Sequence, residues 1–206
     1  DQRLSRGLGD VYKRQSVGTV DRIDSVAEII KNASKLNKIV VVVSAMGGET
    51  NRLVDLAKTF GDDPDKREFD ALVSTGETVS SALLTMALHS KGIKAKSFSA
   101  SQISMRTTSS YSKAKILDVD AKKILDVIDS DTIPIITGFQ GVTEGGDVTT
   151  LGRGGSDTTA VAIAAQIDAV RCDIYTDVDG IFTTDPGVVR SGRKLDTITR
   201  EERLEL

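Results

Sequence analysis

The segment Thr149–Ala165, which reads TTLGRGGSDTTAVAIAA, carries the residues of this chain best suited to hold an anion. A loop with three glycines runs directly into an alanine-rich apolar stretch typical of a buried helix. Ser156 and Asp157 stand at the junction, where short polar side chains favour a helix N-cap. Glycines let backbone N–H groups face a ligand, and the first helical turn adds its unpaired donors and the positive end of its dipole. The segment is therefore predicted to bind a phosphate or a carboxylate.

Two well-known glycine loops do not fit this segment. A P-loop needs Gly-Lys-Ser/Thr at the start of the helix, but Ser156 follows Gly155 with no lysine between them. A dinucleotide-binding fingerprint needs a third glycine where this chain has Asp157. A plain glycine-rich turn into a buried helix remains an alternative. Arg153 favours the anion site, because a guanidinium in such a loop can bind a carboxylate or phosphate through two parallel hydrogen bonds.

Further polar residues follow other predicted elements. The β-branched run at 38–43 predicts a strand buried on both faces, and the SAMGGET segment after it carries Ser44 and Thr50. Because ligands of open α/β sheets bind at the carboxyl ends of strands, both hydroxyls are expected at the functional edge. The alternative is a Gly-Gly turn with Thr50 as a helix N-cap. Glu77 follows Gly76 at a predicted helix start, and taken alone it is better explained as offsetting the helix dipole.

Two aspartates follow the last predicted strand, in the segment TDVDGIF at 176–182. Their spacing resembles a calcium loop at first sight, but the glycine and the closing glutamate of an EF-hand are missing from their places. A turn that holds a nucleotide is the better interpretation.

Helical and strand-like segments alternate through the chain. Helical periods are found at 20–33, at 51–58, at 66–91 with an interruption at 74–76, at 120–129 and after 156; strand-like runs are found at 38–43, 93–99, 115–119, 133–137 and 173–176. The Ser/Thr-rich segment 100–112 has no period and is predicted to be a surface loop. Near-continuous apolar strands separated by helices predict an α/β fold, a three-layer αβα sandwich with a mainly parallel central sheet.

Composition excludes several classes of function. The length of 206 residues suits one domain or one large lobe, and a net charge of −3 argues against nucleic acid or an anionic membrane surface as a partner. No apolar run approaches the roughly 20 residues of a membrane span, and no signal-peptide pattern opens the chain. The single cysteine, Cys172, fits a reducing compartment and is expected to pack where a strand begins. The single histidine, His89, is expected on a helix surface, which leaves no basis for a His-based metal cluster.

Five segments together resemble the catalytic domain of the aspartate kinase family. They are VVVSAMGGETNRL at 41–53, STGE at 74–77, TGFQG at 137–141, LGRGGSDTTAVA at 151–162 and YTDVDGIFTTDP at 175–186. The resemblance implies the amino-acid kinase fold and ATP-dependent phosphorylation of the side-chain carboxylate of L-aspartate to 4-phospho-L-aspartate, the first step of lysine, threonine and methionine biosynthesis. It also implies ATP and Mg²⁺ as cofactors, a cytoplasmic location and a homo-oligomer at full length.

The resemblance implies roles for individual residues as well. Arg153 would pair with a substrate carboxylate, Glu77 would bind the substrate ammonium group, and Asp157 would organise cationic catalytic groups. The other substrate contacts would come from Ser44, Thr50, Gly154, Gly155 and Ser156. The nucleotide contacts would come from Thr176, Asp177, Phe182 and Gly187, with Mg²⁺ on the ATP phosphates. The family commonly has tyrosine at the position of Phe182 and arginine at that of Gly187, and the second difference removes a possible phosphate contact.

The opening of the chain carries a prediction of its own. The segment DVYKRQ at 10–15 matches what a common transposon-type sequencing adapter encodes when translated. Residues 1–15 are therefore predicted to be a non-native addition, and residues 16–206 an incomplete catalytic domain without the regulatory domains that follow it in the family.

This prediction bears on activity. The family's first strand ends in Lys-Phe-Gly-Gly-Thr-Ser-Val, of which only Ser16 and Val17 remain. The phosphate-binding lysine of the family then falls on Val11, and Lys13 lies two positions out of register. The chain as written is expected to be inactive or nearly so.

Three other interpretations stay open. A kinase of the same fold could act on glutamate, acetylglutamate or a nucleotide, and a substrate panel would separate these. A non-catalytic ATP-binding module would bind ATP without turnover. An unrelated nucleotide-binding oxidoreductase is disfavoured by the missing third glycine.

Overall fold

The computed structural model describes residues 8–12, 17–175, 181–182 and 194–195, and in the first and the last two of these segments it describes the backbone alone. The chain divides into two compact units, residues 1–175 and 176–206.

The described helices are α1 (Val20–Ser34), α2 (Glu49–Lys58), α3 (Lys66–Val73), α4 (Thr75–Ser90), α5 (Ala121–Asp129) and α6 (Gly155–Gln166). The described strands are β1 (Leu8–Tyr12), β2 (Ile39–Val43), β3 (Ala95–Phe98), β4 (Arg106–Thr107), β5 (Ile116–Asp118), β6 (Ile133–Thr137), β7 (Gln140–Val142), β8 (Val148–Thr150), β9 (Arg171–Tyr175), β10 (Ile181–Phe182) and β11 (Lys194–Leu195). The helices and strands predicted within the described residues are present, and their bounds differ from the prediction by no more than two residues.

The centre of the first unit is a five-stranded parallel sheet with the order β3-β6-β2-β1-β9. The packing on both faces of β2 explains why its sequence is apolar throughout. Val41 and Val43 face one core, shared with α1 and α4, whereas Val40 and Val42 face a second core, shared with α5 and α6. Both faces of the strand are therefore covered, as parallel sheets require. This arrangement confirms the predicted three-layer αβα sandwich.

A second sheet lies beside the first, with the order β5-β4-β7-β8. It contains β4 within the segment 100–112, so the prediction of a surface loop there was wrong. Ile103 and Met105 are fully buried in the core under α5 and β6, and Thr107 shares a buried hydroxyl–hydroxyl hydrogen bond of 2.6 Å with Thr149. The sequence did not predict these two core positions, since the segment is rich in hydroxyl side chains. A two-residue strand is also too short to show a hydrophobic period.

The helix pair α3 and α4 passes almost directly from one helix to the next. By length and composition alone, Lys66–Ser90 could cross a membrane, a property that core helices of soluble proteins share. Half of its apolar window is buried inside the fold, and Leu84 and Leu88 are fully buried in the first core. The segment is therefore explained as a core helix pair of the sandwich.

The two single residues singled out by composition lie where they were expected. His89 is exposed on α4, where its Nε2 lies 2.7 Å from the carbonyl oxygen of Ala95. Cys172 is half-buried at the start of β9 and packs against the second core.

Candidate active site

The first part of the candidate site is the start of α6. Gly154 caps this helix with a φ of 67°, and no side chain in the described part of the chain forms a capping hydrogen bond. Ser156 and Asp157 lie inside the first turn, so the prediction that they supply the N-cap was wrong. A left-handed backbone favours glycine, and a glycine cap leaves the helix end uncovered. The backbone N–H groups of the first turn and the positive end of the dipole fit an anionic ligand.

The start of α2 is built in the same way. Gly48 caps the helix with a φ of 78° and, among the described residues, no side-chain cap is present. The alternative in which Thr50 caps α2 was therefore wrong. Thr50 is buried in the first turn, and its Oγ1 has no hydrogen-bond partner within residues 17–175. Since a buried hydroxyl left in that state costs about 1–3 kcal/mol, Thr50 is suited to bind a polar group of a ligand.

The turn after β6 contacts both the end of β2 and the start of α6. The N–H of Gly138 donates to the carbonyl of Val43, the last residue of β2, at 2.9 Å. A Cβ on Gly138 would lie only 2.7 Å from Ser156 Oγ and 2.8 Å from Ser156 Cβ, so the serine packs directly on the bare backbone of the turn. Ser44 follows Val43 and is buried. Ser44 thus lies at the carboxyl end of β2, as expected, and Ser156 packs at the carboxyl end of the neighbouring strand β6.

Glu77 lies in the first turn of α4, as expected, and is only 3% exposed. Its Oε1 accepts a hydrogen bond from the N–H of Ala45 at 3.0 Å. The approach is close, because a Cβ on Gly76 would lie 2.8 Å from Ala45 Cβ. The carboxylate therefore holds the loop after β2 in addition to offsetting the dipole of α4. The sequence showed only the Gly-Glu pair at a helix start, not its contact with this loop.

Phe139 is a site residue that sequence reasoning missed. Its φ of 66° is rare for a bulky side chain and costs on the order of 1–3 kcal/mol. Hydrogen bonds hold it there, because its N–H donates to Thr159 Oγ1 at 3.2 Å and its carbonyl accepts from the N–H of Leu151 at 2.9 Å. A Cβ on Gly155 would lie 2.7 Å from the phenyl ring. The ring therefore supports the first residue of α6.

Arg153 and Asp157 lie on either side of this junction in the sequence, and they differ in exposure to solvent. Arg153 stands in the loop between Gly152, with a φ of 81°, and Gly154, and its side chain is exposed. Asp157 is 6% exposed in the first turn of α6. The site thus combines an accessible cation with a buried carboxylate at the same helix start.

The comparison with protein-family models identifies the fold family. Residues 15–206 match the model described as the amino acid kinase family. The chain belongs to this family.

Among curated members of the amino acid kinase family, the chain is 54% identical over 192 residues to an aspartate kinase of Stutzerimonas stutzeri (strain A1501) and 53% identical over 192 residues to an aspartokinase of Geobacillus stearothermophilus. Each match covers 93% of this chain and 47% of the relative, so the chain spans about half the length of the curated relatives it matches.

Solved structures of family members are also similar to this chain in fold. Aspartokinase III of E. coli, crystallised in complex with aspartate and ADP in its R-state, superposes with a TM-score of 0.82 at 27% identity, covering 92% of this chain and 53% of that chain. Aspartate kinase from Synechocystis superposes with a TM-score of 0.75 at 42% identity, covering 91% of this chain and 31% of that chain.

The residues expected to contact the nucleotide fall largely outside the described part of the chain. Thr176, Asp177 and Gly187 lie outside it, and for Phe182 only the backbone is described, in β10, which pairs antiparallel with β11. Their roles stay predictions.

The expected position of the family's lysine can be placed on the backbone. β1 pairs Val11 with Val42 of β2 and with Ile174 of β9, and Val11 lies near the carboxyl end of β1. Lys13 lies outside the described residues. The origin of residues 1–15 stays a prediction.

Proposed function

We propose that this chain supplies the catalytic lobe of an aspartate kinase, which transfers the γ-phosphoryl group of ATP to the side-chain carboxylate of L-aspartate and yields 4-phospho-L-aspartate and ADP. The observation that carries the proposal is the glycine-capped start of α6 packed at the carboxyl end of β6, next to the end of β2, whose following loop leads to the glycine-capped start of α2. The choice of aspartate rests on the names of the curated relatives and on the aspartate and ADP named for the E. coli structure. A cytoplasmic location and a homo-oligomeric full-length protein belong to the same proposal.

The site fits a reaction between two anions. Each uncapped helix start offers backbone N–H donors and a partial positive charge of about half an elementary charge. Gly154, where an added Cβ would meet no atom within 4 Å, would present its backbone to the substrate together with that of Gly155. The hydroxyls of Ser44, Thr50 and Ser156 would bind the substrate oxygens. The hydroxyl of Thr50 would gain the partner that it lacks within the described residues.

Two charged side chains would orient the amino acid. Arg153 would form a bidentate pair with a carboxylate of the substrate, which is the geometry that a guanidinium favours. Glu77 would neutralise the substrate ammonium group, while the hydrogen bond from Ala45 to Oε1 fixes the direction of its carboxylate. The two carboxylates of the substrate would thereby be distinguished by position, because only one of them lies beside the ammonium group.

The transfer itself needs no general base. A side-chain carboxylate of free aspartate, with an ordinary pKa near 3.9, is ionised at pH 7. Its oxygen would form the new bond to the γ-phosphorus as the bond to the ADP oxygen breaks, so catalysis reduces to positioning and to offsetting negative charge. When bound, MgATP supplies the phosphoryl group, with Mg²⁺ on its phosphates. Thr176, Asp177, Phe182 and Gly187 would form the nucleotide pocket, and Asp157 would orient cationic groups near the phosphates.

The test is a substrate panel. We define the completed chain as residues 16–206 extended at both ends to the length of the aspartate kinase relatives, with a family-type first strand. A hydroxamate assay with MgATP should show product with L-aspartate and little or none with glutamate, acetylglutamate or a nucleoside monophosphate. Turnover of one of the others without turnover of aspartate would contradict the assignment. Binding of ATP without any turnover would favour a non-catalytic module.

A further inference from the structure

Asp70 of α3 is a fully buried carboxylate that the proposed reaction does not use. Its exposed fraction is 0%, although it carries a charged group on a short helix. Burying an ionised carboxylate is costly unless hydrogen bonds replace its hydration. A charge retained in such a place therefore calls for a structural or functional reason.

The hydration of Asp70 is replaced by two residues that each donate twice. Ser112 donates its N–H to Oδ2 at 2.8 Å and its hydroxyl to Oδ1 at 3.0 Å. Thr150 repeats the pattern, with its N–H on Oδ2 at 2.7 Å and its hydroxyl on Oδ1 at 2.9 Å. Only a carboxylate offers acceptors on both oxygens, so the four donors match an ionised aspartate and no other side chain of this size.

These contacts fix the segment that leads into the loop of Arg153. Ser112 has a φ of 64°, which a serine adopts only when its surroundings hold it. Ala114 donates its N–H to the carbonyl of Thr150 at 2.9 Å, and the carbonyl oxygen of Ser112 faces Gly152, where a Cβ would lie 3.3 Å away. Asp70 thereby joins α3, the segment at 112–114 and the end of β8 immediately before the loop.

We propose that Asp70 is a positioning residue for substrate binding: it sets the position of Arg153 by clamping Thr150 and Ser112 beneath the loop. The inference rests on the proposed function, because it concerns the same substrate site. Arg153 itself is exposed and lies between two glycines, so its own loop does little to fix it. The position of the loop must therefore be fixed by the residues that pack against it. Asp70 is the side chain that hydrogen-bonds to both Ser112 and Thr150.

The test compares steady-state kinetics of the completed chain and its variants, together with thermal unfolding. Asp70→Ala should raise KM for aspartate by about tenfold or more and leave KM for ATP within about threefold, since misplacing a positioning group weakens only the substrate it orients. Asp70→Asn keeps one acceptor oxygen for the two N–H groups and should recover most of the affinity for aspartate. Unchanged KM for aspartate in a folded Asp70→Ala protein would overturn the inference.

A matched control separates positioning from helix stability. Asp65 is exposed and caps α3 by accepting from the N–H groups of Arg67 and Glu68, without contact to Thr150. Asp65→Ala should lower Tm but leave KM for aspartate unchanged. If it raised that KM as much as Asp70→Ala does, the effect would belong to α3 as a whole and the inference would fail.

Two further variants cover the case in which Asp70→Ala does not fold. Thr150→Val removes one hydroxyl of the clamp at the loop, whereas Ser112→Ala removes the equivalent hydroxyl on the other side. Both should raise KM for aspartate by a few-fold, with the larger effect from Thr150→Val, and no effect in either would overturn the inference. Absence of aspartate turnover in the unaltered completed chain would instead contradict the proposed function.

Discussion

At the scale of single residues, Arg153 is exposed to solvent while the residues next to it form the start of a buried helix. It stands beside a helix start that attracts anions, and its guanidinium is exposed. The sequence was sufficient to single it out, because an arginine between glycines has few structural uses. The capping residue was harder to predict, since Ser156 and Asp157 have good capping side chains, yet the left-handed Gly154 takes that position.

Arg153→Ala should weaken aspartate far more than ATP. Loss of a charge-assisted pair in a site closed by substrate costs about 2 to 5 kcal/mol, so KM for aspartate should rise about thirtyfold or more. Steady-state kinetics of the completed chain measure both constants. Arg106→Ala is the matched control, because Arg106 is also exposed and pairs with Asp118 in the second sheet. A rise confined to KM for ATP would assign Arg153 to the nucleotide instead.

Asp147 gives a prediction on pH. The hydrogen bond from Arg67 Nε, at 2.7 Å, and that from the Tyr111 hydroxyl, at 3.1 Å, hold the pKa of Asp147 below its ordinary value. Because the folded pKa is the lower one, the stabilisation is complete above the ordinary value near 3.9 and is lost as pH falls through the folded pKa. Asp147→Asn should therefore lower Tm by a few degrees at pH 7, and the difference should vanish toward pH 2.

The control for that experiment is Asp126→Asn on the exposed side of α5, which removes the same charge where no hydrogen bond or ion pair of that side chain is described. Its Tm should differ little from that of the unaltered chain at either pH. A difference for Asp147→Asn that persisted at pH 2 would show that the asparagine disturbs packing rather than an ion pair.

At the scale of elements, the site depends on how closely α6 approaches β6. The strands were predictable because apolar runs such as β2 must be covered on both faces. The contact between α6 and the turn after β6 could not be predicted. Nothing in the segment TGFQG indicates that Gly138 contacts Ser156 or that Phe139 has a left-handed backbone. Such features depend on partners distant in the chain.

Gly138→Ala tests this approach. The added methyl group would lie 2.7 Å from Ser156 Oγ and 3.0 Å from Ser156 Cα, so the start of α6 must move. Overpacking of this kind costs about 1–3 kcal/mol, and KM for aspartate should rise about tenfold or more as the helix start shifts. Gly145→Ala is the control, because its methyl would meet only Thr143 Oγ1 at an ordinary 3.7 Å. An equal KM for aspartate in the two variants would mean that substrate binding does not depend on the exact position of the start of α6.

At the scale of the whole molecule, we propose that the opening residues determine whether the chain is active. β1 is an interior strand of the sheet, between β2 and β9, and it carries valine at the position that resemblance assigns to a phosphate-binding lysine. The sequence predicted the layers of this fold but not the strand order, because hydrophobic period says which segments are strands and not which strands are neighbours.

Replacing residues 1–15 by a start that ends in Lys-Phe-Gly-Gly-Thr should raise kcat by two to three powers of ten over the same extended chain with the present start. The reason is that one preorganised donor to the transition state contributes about 3 to 4 kcal/mol. Val11→Lys alone should recover part of this gain. Equal kcat for the two starts would show that the present opening segment is functional, contrary to its interpretation as a non-native addition.

The strand order has a consequence for how the chain can be made. β1 pairs with β2 on one side and with β9 on the other, so this interior strand cannot complete its pairing until Arg171–Tyr175 is available. During synthesis, β3, β6 and β2 can assemble once about two thirds of the chain has left the ribosome, whereas β1 keeps an open hydrogen-bonding edge until β9 emerges. A ribosome stalled before residue 171 would therefore display an unpaired parallel edge, and nascent chains of that length should be the ones that chaperones capture.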